Sequence, residues 1–382
     1  MKNRIAIIGI GESEVGKLYG KTAMELHAIA SKRAIQDAGI DKSEIDGVLT
    51  GYSIAEPYLL HSTEFSEYMQ IVPQYTNSLH SGGATPCVMV QQAAMLIEAG
   101  MCKTVLIAFG DNRLTGMTRD KAIAALSELG NAQYEIPYGP LMPSLLAFQA
   151  QRHMALYGTT LEQFAWISVS QRKHAALYPN AQFKDPITVD DVLRSKAIST
   201  PLNMLNITPI FDGAGALIVT SEERAAQMNR QVYVMGFGQQ DLPDFFTKQE
   251  ISQTAAHLSG KKAYAMAGIE AKDVDVALLY DCCTNVVLTQ IEDLGFCSKG
   301  EGGAFVEGGT RIGLTGDIPV NTNGGELNIG IAGIFHIIEA VHQLRGEAGE
   351  RQVKDAKIGL VQGLGGNHLS AGATLILAND KY

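Results

Sequence analysis

Little in this sequence offers a covalent or metal framework. Five cysteines (Cys87, Cys102, Cys282, Cys283, Cys297) stand in 382 residues. They include no C-x-x-C pair and no histidine-rich neighbourhood, which argues against both a disulfide scaffold and a zinc site. A reducing, cytoplasmic compartment is therefore expected. No run of about 18 apolar residues occurs, so no membrane-spanning helix is expected, and the opening MKNRIAIIGIGESEVG lacks a small-residue cleavage pattern and reads as a first strand. Basic clusters are missing too, and a net charge of −10 gives a nucleic acid no surface to bind. P-loop, G-x-S-x-G and H-E-x-x-H patterns are absent. Gly9 and Gly11 follow the first strand, but Glu14 stands where a dinucleotide fingerprint needs its third glycine, which argues against a Rossmann cofactor site.

What is present is an ordinary globular composition, 46% hydrophobic and 18% charged, long enough for large buried cores. Apolar runs with strand character alternate with helical periodicity: strand Arg4 to Ile10, helix Thr22 to Ala38, strand Gly47 to Gly51, helix Val88 to Ala99, strand Thr104 to Gly110. This is the pattern of β-α units stacked around a buried sheet, an α/β fold.

The pattern also repeats. AIQDAGIDKSEIDGVL (Ala34 to Leu49) aligns without a gap on AYAMAGIEAKDVDVAL (Ala263 to Leu278), and SGGATPCVMVQQAAMLIEA (Ser81 to Ala99) resembles NGGELNIGIAGIFHIIEA (Asn323 to Ala340). Two matches in the same order imply two copies of one α/β unit. The halves are expected at 1–225 and 226–382. Between the matched segments, Leu114 to Thr200 is rich in Met, Gln, Tyr and His and lacks the strand rhythm, so it reads as an inserted cover of helices and loops.

A duplicated α/β chain with a Gly-rich turn opening a buried helix in each half resembles the thiolase fold. Three segments carry the resemblance in family order: PLNMLNITPIFDGAGALIV (Pro201 to Val219), LLYDCCTNVVLTQIEDLGFCSKGEGGAFVEGG (Leu278 to Gly309) and IPVNTNGGELNIGIAG (Ile318 to Gly333). The second is similar to the His-Asp-Cys-Phe segment of sterol-carrier-type thiolases, and the third to the stretch that leads to their Gly-His-Pro loop. The resemblance implies a layered α-β-α-β-α arrangement with an insertion, CoA and acyl-CoA as partners, no covalently bound cofactor, no metal and a homodimer. It also implies a small OB-fold partner with a zinc ribbon.

The chemistry departs from the family at named positions. The nucleophilic cysteine of a thiolase opens the first buried helix, where the helix N-terminus favours thiolate; here that position is Gly83. Cys87 lies about one turn further along the helix. Gly330, Ile331 and Ala332 replace the Gly-His-Pro loop, removing its histidine. Tyr280-Asp281-Cys282-Cys283 occupies the His-Asp-Cys-Phe position, so Cys282 matches the acid/base cysteine, Tyr280 replaces an oxyanion-binding histidine, and Cys283 replaces Phe. A phenol donates a hydrogen bond to an enolate oxygen or relays a proton. Gly83, Gly365 and Gly366 are the expected oxyanion and substrate-binding residues, with His80 as a stand-in base. The missing Phe and His side chains are expected to widen the pocket for a bulky or branched acyl group.

Three functions follow from the resemblance: thiolase-type acyl transfer through Cys282, Cys283 or Cys87; a retro-aldol lyase on a 3-hydroxyacyl-CoA using Tyr280 and no acyl-cysteine; and a non-catalytic acyl-CoA-binding subunit. The losses at 83 and 331 favour the lyase, while frequency within the family favours acyl transfer, on which the expectation settles. Aryl-succinyl-CoA thiolases and steroid side-chain aldolases are the similar proteins that bracket the choice.

Overall fold

The computed structural model describes residues 5–380 apart from 129, 140, 229, 244–249 and 332. Its strands are β1 (Ile5–Glu12), β2 (Gly47–Gly51), β3 (Tyr75–Leu79), β4 (Thr104–Asp111), β5 (Ala197–Ser199), β6 (Leu202–Asn203), β7 (Gly213–Ser221), β8 (Val232–Asp241), β9 (Val276–Leu279), β10 (Ile358–Gly365) and β11 (Ala371–Ala378). Nine of them form one sheet in the order β3-β2-β4-β7-β1-β8-β11-β10-β9, while β5 and β6 pair separately.

Read outward from the β1·β8 junction, the two sides follow the same rule. β1 is antiparallel to β7, β7 to β4, and β4 is parallel to β2. On the other side β8 is antiparallel to β11, β11 to β10, and β10 is parallel to β9. Even β3, parallel to β2, has a counterpart in the parallel bridge from Ala277 to Val320.

Strand alternation explains the layers. Successive side chains point to opposite faces, so Ile5 and Ile7 join one core and Ala6 and Ile8 another; Leu217 and Val219 part from Ile218, and Val361 from Leu360, in the same way. Residues facing inward from both halves pack on two central helices, Thr85–Glu98 and Ile334–Arg345. Residues facing outward pack on Ala23–Ala38 in one half and on Ala256–Ala267 in the other. Both sheet faces are covered, so most strands of the sheet read as continuous apolar runs. The helices of the 114–200 stretch, chiefly Met142–Tyr157 and Leu161–Ala175, lie over the second half.

Gly9 and Gly11 serve this packing and not a cofactor. A side chain on either would stand 2.3 and 2.2 Å from backbone oxygens of Ala34 and Ala30, so glycine lets the outer helix lie against β1. Gly236 and Gly238 do the same for the outer helix on β8. The repeated sequence segments also fold alike. Each leaves its outer helix through a left-handed glycine (Gly39, Gly268) and enters the next strand after a short 3₁₀ turn with a capping box, Asp41 with Glu44 and Glu270 with Asp273. The second repeat differs between halves. Pro86 is tolerated in the first turn, so the first central helix starts at Thr85. In the second half the turn Glu326–Ile329 ends at left-handed Gly330, and the long helix begins only at Ile334.

Two histidines are sealed in the first half. His27 Nε2 lies 3.0 Å from the carbonyl oxygen of Gly110 and His61 Nε2 3.4 Å from His27 Nδ1, both rings fully buried. Burial, reinforced by the charge of His61, pushes His27 down to about 3, and burial also lowers His61. Both groups resist protonation more when folded than the ordinary histidine near 6.5 of an unfolded chain. Their contribution is complete above about pH 6.5 and is lost as pH falls towards the folded values. Thermal melts between pH 8 and 4 should show stability falling below about pH 6.5, with a loss on the order of 3 kcal/mol through His27 by pH 4. His27→Gln should flatten that limb; an acid limb equally steep in the variant would remove His27 as its source.

Candidate functional site

Four segments meet beyond the C-terminal ends of parallel strands β9 and β10, where α/β folds place their ligand crevices. They are Tyr280–Cys283 after β9, Gly363–Gly366 at the end of β10, the Ser81–Ala84 turn before the first central helix, and Asn321–Gly333 before the second. Tyr280 continues the strand pairing by donating its N–H to the Gln362 carbonyl at 3.1 Å. The side chain of Asn321 stands in for a strand edge, accepting from Leu279 N–H at 2.7 Å and donating to Leu279 C=O at 2.9 Å.

The closest approach in the site is between Tyr280 and Gly83. A Cβ on Gly83 would lie 2.0 Å from Cε2 and 2.7 Å from Cζ of the phenol ring, and 2.6 Å from the Leu364 carbonyl oxygen. The ring therefore fills the place where a side chain at 83 would stand. A side chain at 83 and the Tyr280 ring therefore exclude each other. Gly365 and Gly366 pack against the same turn: a Cβ on Gly82 would lie 2.8 Å from Gly365 Cα and 3.4 Å from Gly366 N. The structure thus brings Gly83, Gly365, Gly366, Tyr280 and Cys282 together.

Each thiol sits differently. Cys282 keeps some exposed surface beside Tyr280 and Cys283; burial first, then Cys283 and Asp281, hold it well above the usual thiol range, with Tyr280 opposing. Cys283 is 1% exposed, caps the helix Thr284–Asp293 and packs in the core. Cys87 is fully buried against Gly363, and burial pushes its thiol up to about 12. The dipole of the helix favours thiolate there by a modest amount; desolvation outweighs it. His80 is exposed, its ring edge-to-face with Tyr52 at 5.4 Å. Ile331 is 3% exposed, and Ala332 lies outside the described residues. Cys283 and Ile331 are thus both enclosed.

Tyr280 also keeps exposed surface, and its phenol is raised well above the ordinary value by burial, then by Cys282 and Glu326, with Arg113 opposing. It is a hydrogen-bond donor at neutral pH. Three neighbours escaped attention in the sequence as working groups. Asp281 Oδ1 accepts Glu326 N–H at 2.9 Å and Oδ2 accepts Leu327 N–H at 3.1 Å; His336 Nε2 is 3.2 Å from Asp281 Oδ1. Glu326 Oε1 accepts Gly333 N–H at 2.9 Å, and His336 Nδ1 is 3.8 Å away from it. All three are buried, with one donor atom of each within 4.8 Å of the others. Two of the facing carboxylate oxygens already accept backbone N–H groups, while neither His336 nitrogen makes an aligned hydrogen bond, so the ring stands unsatisfied between two anchored carboxyl groups. The signals that could have found it are an acid directly after Gly324-Gly325 and a lone histidine in the apolar run Ile334-Phe335-His336-Ile337-Ile338.

Both central helices begin here. A Cβ on Gly333 would stand 2.8 Å from the Gly83 carbonyl oxygen and 3.0 Å from Pro86 Cγ. Two helix N-termini, each with its positive dipole end, converge on one point, which favours negative charge developing there. The insertion clamps this region: His153 Nε2 to Glu292 at 3.0 Å, Asn285 Nδ2 to Gln149 Oε1 at 3.1 Å, and Arg172 Nε to Asn328 Oδ1 at 2.5 Å. A surface hollow of about 430 Å³ lined by Gly11, Glu12, Arg33 and His342 contains none of these groups.

Comparison with known proteins agrees with this fold. The family model described as "Thiolase C-terminal domain-like" matches residues 239–379. The chain is 32% identical over 373 residues to the acetyl-CoA acetyltransferase of Methanothermobacter thermautotrophicus, covering 95% of this chain and 96% of that one. It is 33% identical over 361 residues to the 17-hydroxy-3-oxo-4-pregnene-20-carboxyl-CoA lyase of Mycobacterium tuberculosis, covering 91% and 92%. Among solved structures, the Ltp2-ChsH2(DUF35) aldolase superposes with a TM-score of 0.88 at 33% identity, covering 100% of this chain and 99% of that one. The chain belongs to the thiolase superfamily. Its place there is among thiolase-like proteins that include both acetyltransferases and steroid side-chain aldolases.

The exclusion between Gly83 and Tyr280 is measurable. Gly83→Ala should cost about 2 to 3 kcal/mol by overpacking, and Tyr280→Ala in the same chain should recover much of it, giving a coupling of at least about 1 kcal/mol. Denaturant unfolding of the two single variants and the double variant tests this; additive effects would show that the ring does not occupy that space in solution.

Proposed function

We propose that this protein makes and breaks carbon–carbon bonds in CoA thioesters by aldol chemistry, splitting a 3-hydroxyacyl-CoA into a carbonyl compound and a shorter acyl-CoA with no acyl-cysteine. The observation that carries this reading is the Tyr280 ring lying on Gly83. Where a thiolase would form a covalent bond to the acyl group, this site presents a phenolic donor. In the cleavage direction a base takes the hydroxyl proton, the bond between Cα and Cβ breaks, and its electron pair moves onto Cα and the thioester oxygen. Cα then takes a proton. The enolate needs hydrogen-bond donors and positive potential but no nucleophile, and Tyr280 with the two helix N-termini supplies them. CoA enters as the thioester carrier, and no covalently bound cofactor is needed.

Thiolytic acyl transfer through Cys282, with CoA as co-substrate, is the second reading, favoured by the accessible position of that thiol beside Tyr280 and by the acetyltransferase relative. It requires a thiolate, which burial, Cys283 and Asp281 oppose. A role without catalysis leaves the adjoining Tyr280 phenol and Cys282 thiol, and the buried acids around them, without a purpose.

Assembly is part of the proposal. β3 is an edge strand, and exposed apolar residues stand in the segments just before it, Leu59 at 99% and Val72 at 96%, so a second copy pairing there would cover them. The inserted region leaves Tyr134, Tyr138 and Phe148 exposed, which suits an OB-fold, zinc-ribbon partner of the kind the resemblance implies.

Intact-protein mass spectrometry with a panel of acyl-CoAs, together with an assay for carbonyl release from 3-hydroxyacyl-CoAs, separates the two readings. The aldol reading expects carbonyl release without an adduct, and Tyr280→Phe should lower turnover by about 100-fold or more while thioester affinity stays within roughly threefold. A stable acyl group on Cys282, or full turnover in Tyr280→Phe, would rule it out.

A further inference from the structure

An aldol cleavage needs two opposed proton-handling roles: a donor that stays protonated to stabilise the enolate, and a base that accepts the hydroxyl proton. Tyr280 fits the first. Its phenol holds its proton too tightly for the second, and so does the Cys282 thiol. The missing base should be an acid whose affinity for protons has been raised towards neutrality, adjacent to Tyr280 and tied to a group that can share its proton.

We propose that Glu326 is this base and that His336, lying between Glu326 and Asp281, is the positioning residue that shares its proton. The proposal rests on the aldol reading given above. Glu326 opens the short turn after Gly324-Gly325 and accepts the N–H of Gly333, whose Cα faces the Gly83 carbonyl. Its carboxyl thus sits between the two helix starts and close enough to Tyr280 and Cys282 for their charges to interact. Burial first, then the charge of Asp281, raise it well above the usual carboxylate range; Cys282 adds to the rise, while the Gly333 N–H and Arg113 oppose it. These are the charged and titratable groups that face it, together with His336 from the second central helix. His336 is 1% exposed, and neither ring nitrogen makes an aligned hydrogen bond. Its Nε2 stands 3.2 Å from Asp281 and its Nδ1 3.8 Å from Glu326. One small rotation of the ring lets it take a proton from one carboxyl and give it to the other. Asp281 is fixed by two backbone N–H groups and so holds its carboxyl beside His336 and Glu326.

In the cleavage direction Glu326 takes the substrate hydroxyl proton, the C–C bond breaks to give the carbonyl product and the enolate held by Tyr280, and the same proton returns to Cα. Protons and electrons balance without any added reagent. Run backwards, the first step is removal of an α-proton from an acyl-CoA, which gives an assay that needs no knowledge of the natural substrate.

The experiment is α-proton exchange of acetyl-CoA and butyryl-CoA in D2O, followed by NMR from pH 5 to 9, on the full chain with its partner subunit where one co-purifies. Wild type should exchange, with an acid limb reporting the base. Glu326→Gln, which keeps an acceptor for Gly333 N–H, should lower exchange by about 100-fold or more at unchanged melting temperature, and His336→Gln should shift the acid limb while keeping the maximal rate within about tenfold. If Glu326→Gln does not fold, Glu326→Asp is read instead, with a reduced rate and a surviving acid limb expected. Exchange within fivefold of wild type in both Glu326 variants, or an acid limb that His336→Gln leaves in place, overturns the assignment while the aldol reading stands. Absence of exchange in wild type together with an acyl adduct overturns both.

Discussion

The contact between the Tyr280 ring and the Cα of Gly83 governs the rest of the site. Two peptide segments nearly two hundred residues apart are brought so close that only a glycine on one side accommodates an aromatic on the other. With the ring in place, no side chain at 83 can be a nucleophile. The hydroxyl of Tyr280 reaches Cys282, and the turn at 82 and 83 settles on Gly365 from the opposite side. The site is thereby organised around a phenol and two helix starts and not around a side chain at position 83. Covalent catalysis and enolate stabilisation place opposite demands on the acidity of the groups present, and here burial raises the proton affinity of both the Cys282 thiol and the Tyr280 phenol.

The fold makes this contact reproducible. Each half of the sheet presents alternate side chains to the central helix pair, so both helices are locked between β-layers with their N-termini at one spot. The glycine pairs of β1 and β8 draw the outer helices in by equal means on both sides. Symmetry at the level of strands therefore yields an asymmetric site. The first central helix begins directly at the Gly83 turn, while the second is delayed by Gly330 and Gly333, and the room gained is filled by Glu326 and His336. The insertion adds ion pairs and hydrogen bonds to the helix behind Cys283 and to the turn at Asn328, holding the whole second-half wall of the site in register.

Burial decides the electrostatics more than helix dipoles do. Cys87 lies in the first turn of a helix, a position that by itself acidifies a thiol, yet burial pushes it up to about 12 against the lowering effect of the Gly363 backbone. Glu326 shows the same ordering with the opposite usefulness, since a carboxyl raised by burial and a neighbouring charge gains basicity that an exposed one lacks.

Much of the architecture was legible in the residues. Period-2 and period-3.6 patterns located β1, β2, β4 and both first-half helices, and the matched segments at 34–49 and 263–278 proved to be the same helix exit and strand entry. The Tyr-Asp-Cys-Cys run and the Gly83 position were readable as a departure from the family, because motif spacing is a local property. The sequence determined which chemical groups are available: one phenol, two adjacent cysteines, a glycine where a cysteine would stand. Only the tertiary structure decided what they can do. It laid the phenol on the glycine, buried Cys87 and Cys283, and assembled Asp281, Glu326 and His336 from a strand end, a turn and a helix. Proton affinity and mutual exclusion depend on distance and desolvation, and those are set by how distant segments pack.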